Sequence, residues 1–162
     1  MTDIRIRDYE RSDAENLNRI AVAAFGQFRD HYQDWPAMLA GLSKTSDLSA
    51  SGEVIIAELQ DAFAGAVAYF GPNRPKAPFF DQSWPIIRML VVDPAFRGKG
   101  IGHALSNDCL ARARRDGAPL IALHTSPIMT VALPMYLKMG FVKAYDAPPI
   151  FGVAYAVYTK AL

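Results

Sequence analysis

The sequence has little cysteine, no long apolar run and almost no excess of one charge. Its single cysteine, Cys109, excludes an intrachain disulfide and favours a reducing compartment. The longest apolar stretches fall short of the about 20 residues that a membrane span requires, and the charged N-terminus differs from a signal peptide. The sequence has 17 basic and 16 acidic residues. Because the net charge is close to zero, we expect no strongly basic surface that would bind nucleic acid or an anionic membrane. We therefore expect a cytoplasmic protein without nucleic-acid or membrane partners.

What the sequence does contain is typical of one globular domain. Of its 162 residues, 51% are hydrophobic and 20% are charged, and this balance excludes a disordered chain. A chain of this length corresponds to about one domain and can bury a sizeable core. Neither an internal repeat nor a linker divides the sequence. We predict a single domain over residues 1–162.

Hydrophobic periodicity predicts a series of strands and helices. Strands are predicted at residues 4–7, 54–59, 62–70, 86–92, 120–124, 141–145 and 151–159. Helices are predicted after a capping box at Ser12 and Glu15, at 37–42, at 100–115, and from Ser126-Pro127 to about Met139. The order β, α, α, β, β, β, α, β, α, β, β predicts an α/β (α+β) fold with antiparallel strands first and βαβ crossovers later.

Two aromatic segments each have more than one interpretation. The aromatic residues of segment 25–35 are spaced for one helix face, which indicates either a core-facing stripe or the wall of a substrate site. Residues 71–85 contain repeated prolines and cannot form regular structure. A loop of this length binds a ligand, packs over the sheet or is disordered.

A glycine-rich turn joins the predicted strand 86–92 to the next helix. It reads Arg97-Gly98-Lys99-Gly100-Ile101-Gly102, and its glycines let an anion approach the backbone N–H groups. The helix N-terminus favours phosphate, and the two cations add charge-assisted bonds. The spacing matches neither a Walker loop nor the dinucleotide fingerprint, because His103 takes the place of the third glycine. The turn is predicted to bind a phosphate group, with a turn that binds no ligand as the alternative.

Two segments resemble the motifs of the GCN5-related N-acetyltransferases, the GNAT family. Arg97, Gly100 and Gly102 after an apolar strand resemble its R/Q-x-x-G-x-G/A acetyl-CoA signature. A second family segment is matched by Ala132, Tyr136, Lys138, Gly140 and Phe141. The resemblance covers roughly residues 54 to 145. It implies a mixed, mostly antiparallel sheet of about seven strands flanked by about four helices, with central strands splayed for coenzyme A.

The resemblance also implies how acetyl-CoA would be held as a co-substrate. Backbone groups of the strand would pair with pantetheine, and N–H groups of the turn would hold the pyrophosphate. The candidate cofactor-binding residues are Leu90, Val91, Val92, Arg97, Gly98, Lys99, Gly100, Ile101, Gly102, Met129, Ala132 and Lys138. Met129 takes the place of an asparagine that often touches pantetheine in the family. A homodimer is common among similar proteins, and no metal is expected.

The implied reaction is attack of a neutral amine on a thioester. The N–H of Leu90 or Val91 would stabilise the oxyanion. Tyr136, at the family's general-acid position, would protonate the leaving thiolate, with a tyrosine that caps the core as the alternative. His124, whose ordinary pKa is about 6.5, is the candidate base. A structural histidine or a water relay is the alternative for the base.

Three further residues bear on this mechanism. Asp81 and Glu58 are weaker candidates for the base. Pro134 is predicted to kink the last helix, and helical spacing places Met129 and Tyr136 on one face of it.

The sequence therefore predicts an acetyl-CoA-dependent N-acetyltransferase that acts on a primary amine of a small molecule or peptide. The main alternative is a non-catalytic acyl-CoA-binding sensor or regulatory module. A nucleotide-binding α/β protein is a third interpretation, which the glycine spacing disfavours. The apolar character of loop 71–85, segment 25–35 and the last two strands indicates a partly hydrophobic acceptor.

Overall fold

The fold is a seven-stranded sheet with helices on both faces. The computed structural model describes residues 3–162. Its strands are β1 Ile4–Asp8, β2 Glu53–Leu59, β3 Ala62–Phe70, β4 Ile86–Val92, β5 Leu120–Thr125, β6 Val142–Ile150 and β7 Val153–Ala161. Its α-helices are α1 Ala14–Phe25, α2 Trp35–Leu42, α3 Ile101–Arg115 and α4 Ala132–Lys138. The predicted order of elements is confirmed.

The strands lie in the order β1-β2-β3-β4-β5-β7-β6. Neighbours are antiparallel except β4 and β5, which α3 connects as a parallel crossover. The mostly antiparallel sheet is therefore confirmed. The predicted second crossover is also present, because α4 connects β5 to β6 and these two strands run parallel with β7 between them. In the part of the chain that the structure describes, no helix is long and apolar enough to cross a membrane.

Alternating strand residues build a separate apolar layer on each face of the sheet. In β2, Ile55 and Ala57 pack in the layer of α3, whereas Ile56 packs in the layer of α1. Helix α3 packs on one face of the sheet through apolar side chains that are spaced about one helical turn apart, including Leu105 and the fully buried Cys109. Burial of this kind contributes roughly 25 cal/mol per Å² of apolar surface, so both layers hold the helices against the sheet.

The predicted connections from β2 to β3 and from β3 to β4 agree with the structure. The hairpin of β2 and β3 turns at Gln60 and Asp61, which both have positive φ, as a two-residue turn requires. Segment 71–85 packs over the sheet, because Phe80 is buried and the hydroxyl of Tyr145 donates to the carbonyl of Phe79 at 2.6 Å. The packing interpretation of this loop is confirmed.

Helix α4 begins later than predicted. The hydroxyl of Ser126 accepts from the N–H of Ile128 at 3.3 Å, and the N–H of Met129 donates to the carbonyl of Ser126 at 3.0 Å. These bonds close a turn, and the helix starts at Ala132. Pro134 therefore lies in the first turn, where its missing N–H leaves no helical bond unmade. The predicted kink is wrong for this reason.

Two predictions for the N-terminal third are also wrong in detail. The capping box predicted at Ser12 forms instead between Glu10 and Asp13, whose carboxylate accepts from the N–H of Glu10 at 2.7 Å. The aromatic residues of segment 25–35 do not share one helix face, because α1 ends at Phe25 and a 3₁₀-helix follows over Gly26–His31. All four side chains pack in or against the apolar core, and of them Phe25 also lines the cavity described below.

Candidate active site

The centre of the sheet contains a gap between β4 and β5. In the structure of residues 3–162 these strands pair at one position, Ile86 with Ala122. The N–H of Ala122 donates to the carbonyl of Pro85 at 3.0 Å nearby. On its other side, β5 stays paired with β7 from Leu120 to Thr125. The predicted splaying of the central strands is therefore present, and it leaves an edge of β4 open.

A β-bulge in β4 lies at this gap. Met89 has a φ of +57°, and the pairing with β3 shifts between Val91, opposite Ala66, and Arg88, opposite Ala68. The bulge reverses the alternation of side chains, so that Ile86 and Val91 both pack in the layer of α1. A non-glycine residue at positive φ is uncommon and is enriched at functional sites. Nothing in this apolar stretch of sequence signals the bulge.

Beyond the bulge, the peptide groups of β4 alternate between β3 and the gap. The N–H of Asp93 donates to the carbonyl of Ala64 at 2.8 Å, so the peptide groups of Asp93 and of Val91 face β3. Those of Leu90 and Val92 then face the gap. Of the strand residues expected to pair with pantetheine, Leu90 and Val92 thus offer polar groups on the open edge.

The glycine turn follows β4 and ends at α3. Gly98 and Gly100 have φ of +76° and +83°, and Gly100 is the N-cap of α3. A Cβ at either position would meet no atom within 4 Å. Glycine is therefore required here by the positive backbone φ and not by a lack of space for a side chain. The open space over these peptide groups leaves room for a large anion at the start of a helix.

The other residues of the turn surround this space in different ways. Arg97 and Lys99 are exposed, and the guanidinium of Arg97 donates to the carbonyl of Ala24 at 3.5 Å. The side chain of Ile101 is 1% exposed and lies in the α3 layer, so only its N–H can serve a ligand. A Cβ on Gly102 would lie 3.6 Å from the side chain of Leu90, which places this residue beside the open strand. The turn therefore presents exposed peptide groups and two cationic side chains beside open space.

A cavity of about 520 Å³ lies at the gap and has walls from both layers. From the layer of α3 and α4 it is lined by Leu90, Leu123 and Tyr136. On the other side of the sheet, α2 contributes Met38 and Leu42 to the lining. The cavity therefore passes through the sheet where β4 and β5 separate.

Tyr136 is a buried phenol in the wall of this cavity. Its residue is 4% exposed, and its ring packs edge-to-face on Phe141 with centroids 5.6 Å apart. Burial raises the pKa of Tyr136 above its ordinary value, and a hydrogen bond with Ser106 acts in the opposite direction. The hydroxyl therefore carries its proton throughout the neutral range and can donate it.

His124 lies on the opposite side of the cavity among aromatic rings. Its ring centroid is 5.2 Å from Phe79, 5.8 Å from Phe80 and 5.1 Å from Tyr155. Burial, aided by the charge of Arg88, lowers the pKa of His124 from 6.5 to about 4. The expectation of an ordinary histidine pKa is wrong for this reason. At neutral pH the imidazole is uncharged and can accept a proton.

The remaining candidate cofactor-binding residues lie in α4 and in the turn before it, and not all of them line the cavity. Met129 and Ala132 line the cavity together with Tyr136, and the hydroxyl of Thr125 lies 3.3 Å from the sulfur of Met129. Met129 precedes α4, so the prediction that it shares a helix face with Tyr136 is wrong. Lys138 is exposed in the last turn of α4, away from the cavity wall.

Neither carboxylate considered as a base lies at the cavity. Glu58 pairs with Arg5 and Arg7, at 3.4 Å in each case, where β1 meets β2. Asp81 accepts from the hydroxyl of Ser83 at 2.7 Å in loop 71–85. Among residues 3–162, no aspartate or glutamate lines the cavity. Of the three side chains considered as the base, His124 is therefore the one that lines the cavity.

A family model described as the acetyltransferase (GNAT) family matches residues 14–141. The chain belongs to the GNAT family. The open edge of β4, the glycine turn and the cavity thus occur in a family that takes its acetyl group from acetyl-CoA.

Similar proteins extend this assignment to sequence and to fold. The GNAT chain is 34% identical over 105 residues to N-acetyltransferase 8F1 of Rattus norvegicus, a match that covers 65% of this chain and 46% of the relative. It therefore spans about half the length of that curated relative.

Two solved structures share the fold. A GCN5-related N-acetyltransferase from Rhodopseudomonas palustris has a TM-score of 0.76 at 24% identity, over 100% of this chain and 98% of that one. The structure of yncA from Salmonella typhimurium, solved with its cofactor acetyl-CoA, has a TM-score of 0.69 at 17% identity, over 98% and 94%. At these identities the likeness concerns the fold alone.

The structure adds site residues that the motifs did not indicate. Two cationic side chains, Arg88 and Lys44, line the cavity. Arg88 had a sequence signal, since it interrupts the otherwise apolar strand Ile86–Val92. Lys44 had none, because it follows α2 in a polar segment.

Proposed function

We propose that this GNAT chain transfers the acetyl group of acetyl-CoA to a primary amine of a small molecule or peptide. The observation that carries the proposal is the open edge of β4, which runs from the glycine turn to a cavity with a buried phenol on its wall. Peptide groups of Leu90 and Val92 on that edge would pair with pantetheine amides. N–H groups at Gly98 and Gly100, with Arg97 and Lys99, would bind the pyrophosphate.

The site residues have separate roles in this proposal. The N–H of Leu90 faces the gap and would donate to the oxyanion that develops when the amine attacks the thioester carbon. Neutral His124, directly or through a water, would accept the proton that the attacking nitrogen then loses. This transfer needs only a weak base, because a nitrogen bonded to the tetrahedral carbon is far more acidic than a free ammonium.

Tyr136 would complete the reaction on the other side of the cavity. When the carbon–sulfur bond breaks, its hydroxyl would give a proton to the departing thiolate. The apolar cavity disfavours the thiolate as it does the phenolate, so the burial that raises the pKa of Tyr136 also favours proton transfer to sulfur. The proton taken up at His124 returns to Tyr136 through solvent, and the products are an amide and free coenzyme A.

We further propose one acetyltransferase domain over residues 1–162 that acts in the cytoplasm. The buried and unpaired Cys109 supports a reducing compartment. A homodimer stays a prediction, which sedimentation analysis of the purified chain measures directly.

The test of the proposed function is acetyl transfer by wild type and Tyr136→Phe. Release of free thiol from acetyl-CoA is measured over a panel of amines, with acetyl-CoA binding measured by calorimetry. Removal of the hydroxyl is expected to lower kcat by about 10²-fold, because general acids contribute at least that factor. Acetyl-CoA affinity is expected to change little, since the ring remains.

Tyr9→Phe is the matched control, since Tyr9 lies beside β1 outside the cavity lining. It is expected to retain the wild-type kcat. Equal kcat for Tyr136→Phe and wild type would remove the general-acid role. Tight acetyl-CoA binding without transfer to any amine would instead support the sensor or regulatory module.

A further inference from the structure

The cavity wall carries cationic side chains without an anionic one. Arg88 on β4 and Lys44 after α2 both line it, and among residues 3–162 no aspartate or glutamate does. These two residues come from different elements and reach the cavity on the face covered by α1 and α2. His124 also lies on this wall, but its lowered pKa leaves the imidazole uncharged at neutral pH.

Arg88 has no anionic partner within the described part of the protein. Its guanidinium carbon lies 5.9 Å from the centroid of the Phe70 ring. The residue is exposed, partial desolvation beside the cavity lowers the pKa of Arg88, and no carboxylate opposes that shift. Arg7 and Arg112 make ion pairs at 2.8 Å and 2.6 Å. Exposed arginines such as Arg114 make none among residues 3–162, but they lie outside the cavity lining, to which Arg88 belongs. An arginine left with only an aromatic face can form bidentate bonds to an incoming anion.

The phosphates of coenzyme A do not account for this unpaired charge. Arg88 lies near the start of β4, and the glycine turn lies beyond its end at Val92. At about 3.3 Å per strand residue, these points are roughly 13 Å apart along the strand. The anion that would meet Arg88 must therefore arrive with the other substrate. Arg88 also directly precedes the bulge at Met89, so this anion would lie beside the reacting centre.

We propose that the acceptor is an amino carboxylic acid, whose carboxylate binds Arg88 with support from Lys44. This inference rests on the proposed acetyl transfer and adds the substrate class. An α-amino acid holds its amine and carboxylate a few bonds apart, so a carboxylate on Arg88 places the amine close to the open edge at Leu90. The apolar side chains of Met38 and Leu42 favour an apolar substituent on the acceptor.

The experiment compares acceptors that share an apolar side chain and differ in the carboxylate, with kcat/KM referred to the neutral amine because the amine pKa differs among them. L-leucine is measured against L-leucinamide and isopentylamine, and L-phenylalanine against phenethylamine, with kcat and KM determined for each. A charge-assisted pair contributes enough for about a tenfold effect or more. We expect kcat/KM for each amino acid to exceed that of its neutral analogue by about that factor, mainly through KM.

Variants of Arg88 then locate the effect. Arg88→Met is expected to reduce the ratio of kcat/KM between leucine and leucinamide to near one, and Arg88→Lys is expected to restore part of it. Arg114→Met is the control, because Arg114 is exposed in the last turn of α3 and lies outside the cavity lining. It is expected to retain the wild-type ratio. If Arg88 had only a structural role, Arg88→Met would lower kcat/KM equally for all acceptors and leave the ratio between leucine and leucinamide unchanged.

Each outcome decides between separate claims. Acetyl transfer without a preference for the carboxylate, or with a preference that survives Arg88→Met, overturns this inference and leaves the proposed function intact. A phosphonate analogue of leucine that exceeds leucine itself assigns the site to a phosphoryl group and also overturns it. Acetyl-CoA binding with no transfer to any of these amines overturns the proposed function, and the inference with it.

Discussion

At the scale of single residues, the surroundings of His124 decide its chemistry. Its position at the end of a buried strand could be predicted from the sequence. The rings of Phe79, Phe80 and Tyr155 that pack on it could not, because they come from a loop and a strand far along the chain. Periodicity reports the burial of a strand but not which side chains from other elements meet it. The lowered pKa of His124 was unpredictable for the same reason.

Stability should fall as the pH decreases through the titration of His124. In the folded chain its pKa is about 4, against 6.5 ordinarily, so the unfolded chain binds more protons between these values. The contribution of neutral His124 is therefore fully present above pH 6.5 and is lost as the pH falls to about 4. The loss amounts to about 3 kcal/mol.

Urea unfolding of wild type and His124→Gln at pH 7.5 and pH 4.5 measures this contribution. The variant is expected to lose less free energy of unfolding between the two pH values than wild type does. The exposed His31 provides the control variant His31→Gln, which should follow wild type. Equal losses for wild type and His124→Gln would contradict the account.

At the scale of elements, the strand–turn–helix unit of β4, the glycine turn and α3 was predictable. An apolar run, a glycine cluster and a helical row follow one another, and each has a local signal. The bulge at Met89 has no such signal, because its positive φ accompanies a register shift against β3, which is a contact distant in sequence. The start of α4 was misplaced because Ser126-Pro127 has the composition of a helix start while its side chain closes a turn.

The glycine turn allows a test that separates backbone conformation from crowding. Gly100→Ala should lower the free energy of unfolding by about 1 kcal/mol, because an L-residue is strained at φ +83° although a Cβ would have space. Gly26→Ala is the matched control, since Gly26 also has open space but a φ of −56°. That variant should be neutral or slightly stabilised.

Urea unfolding of both variants at neutral pH measures these changes. A loss confined to Gly100→Ala supports the left-handed turn at the start of α3. If the two alanine variants had the same stability, the turn would not hold the conformation that the anion site requires.

At the scale of the whole molecule, the order of elements and the mostly antiparallel sheet agreed with expectation. The separation of β4 from β5 was expected only from the family resemblance, since Ile86–Val92 and Leu120–Thr125 have the same apolar composition as tightly paired strands. The gap depends on long-range packing, with α3 against one face and α1 against the other. It is this gap that brings Tyr136 and His124 to one cavity from opposite sides.

The central claim is that the open edge of β4 and the glycine turn bind acetyl-CoA. Calorimetric titration of acetyl-CoA into the purified, folded chain tests it most directly. We predict saturable binding with one site per chain and a Kd between about 1 μM and 1 mM, in the range of typical substrate affinities. Absence of binding at millimolar acetyl-CoA would contradict the account.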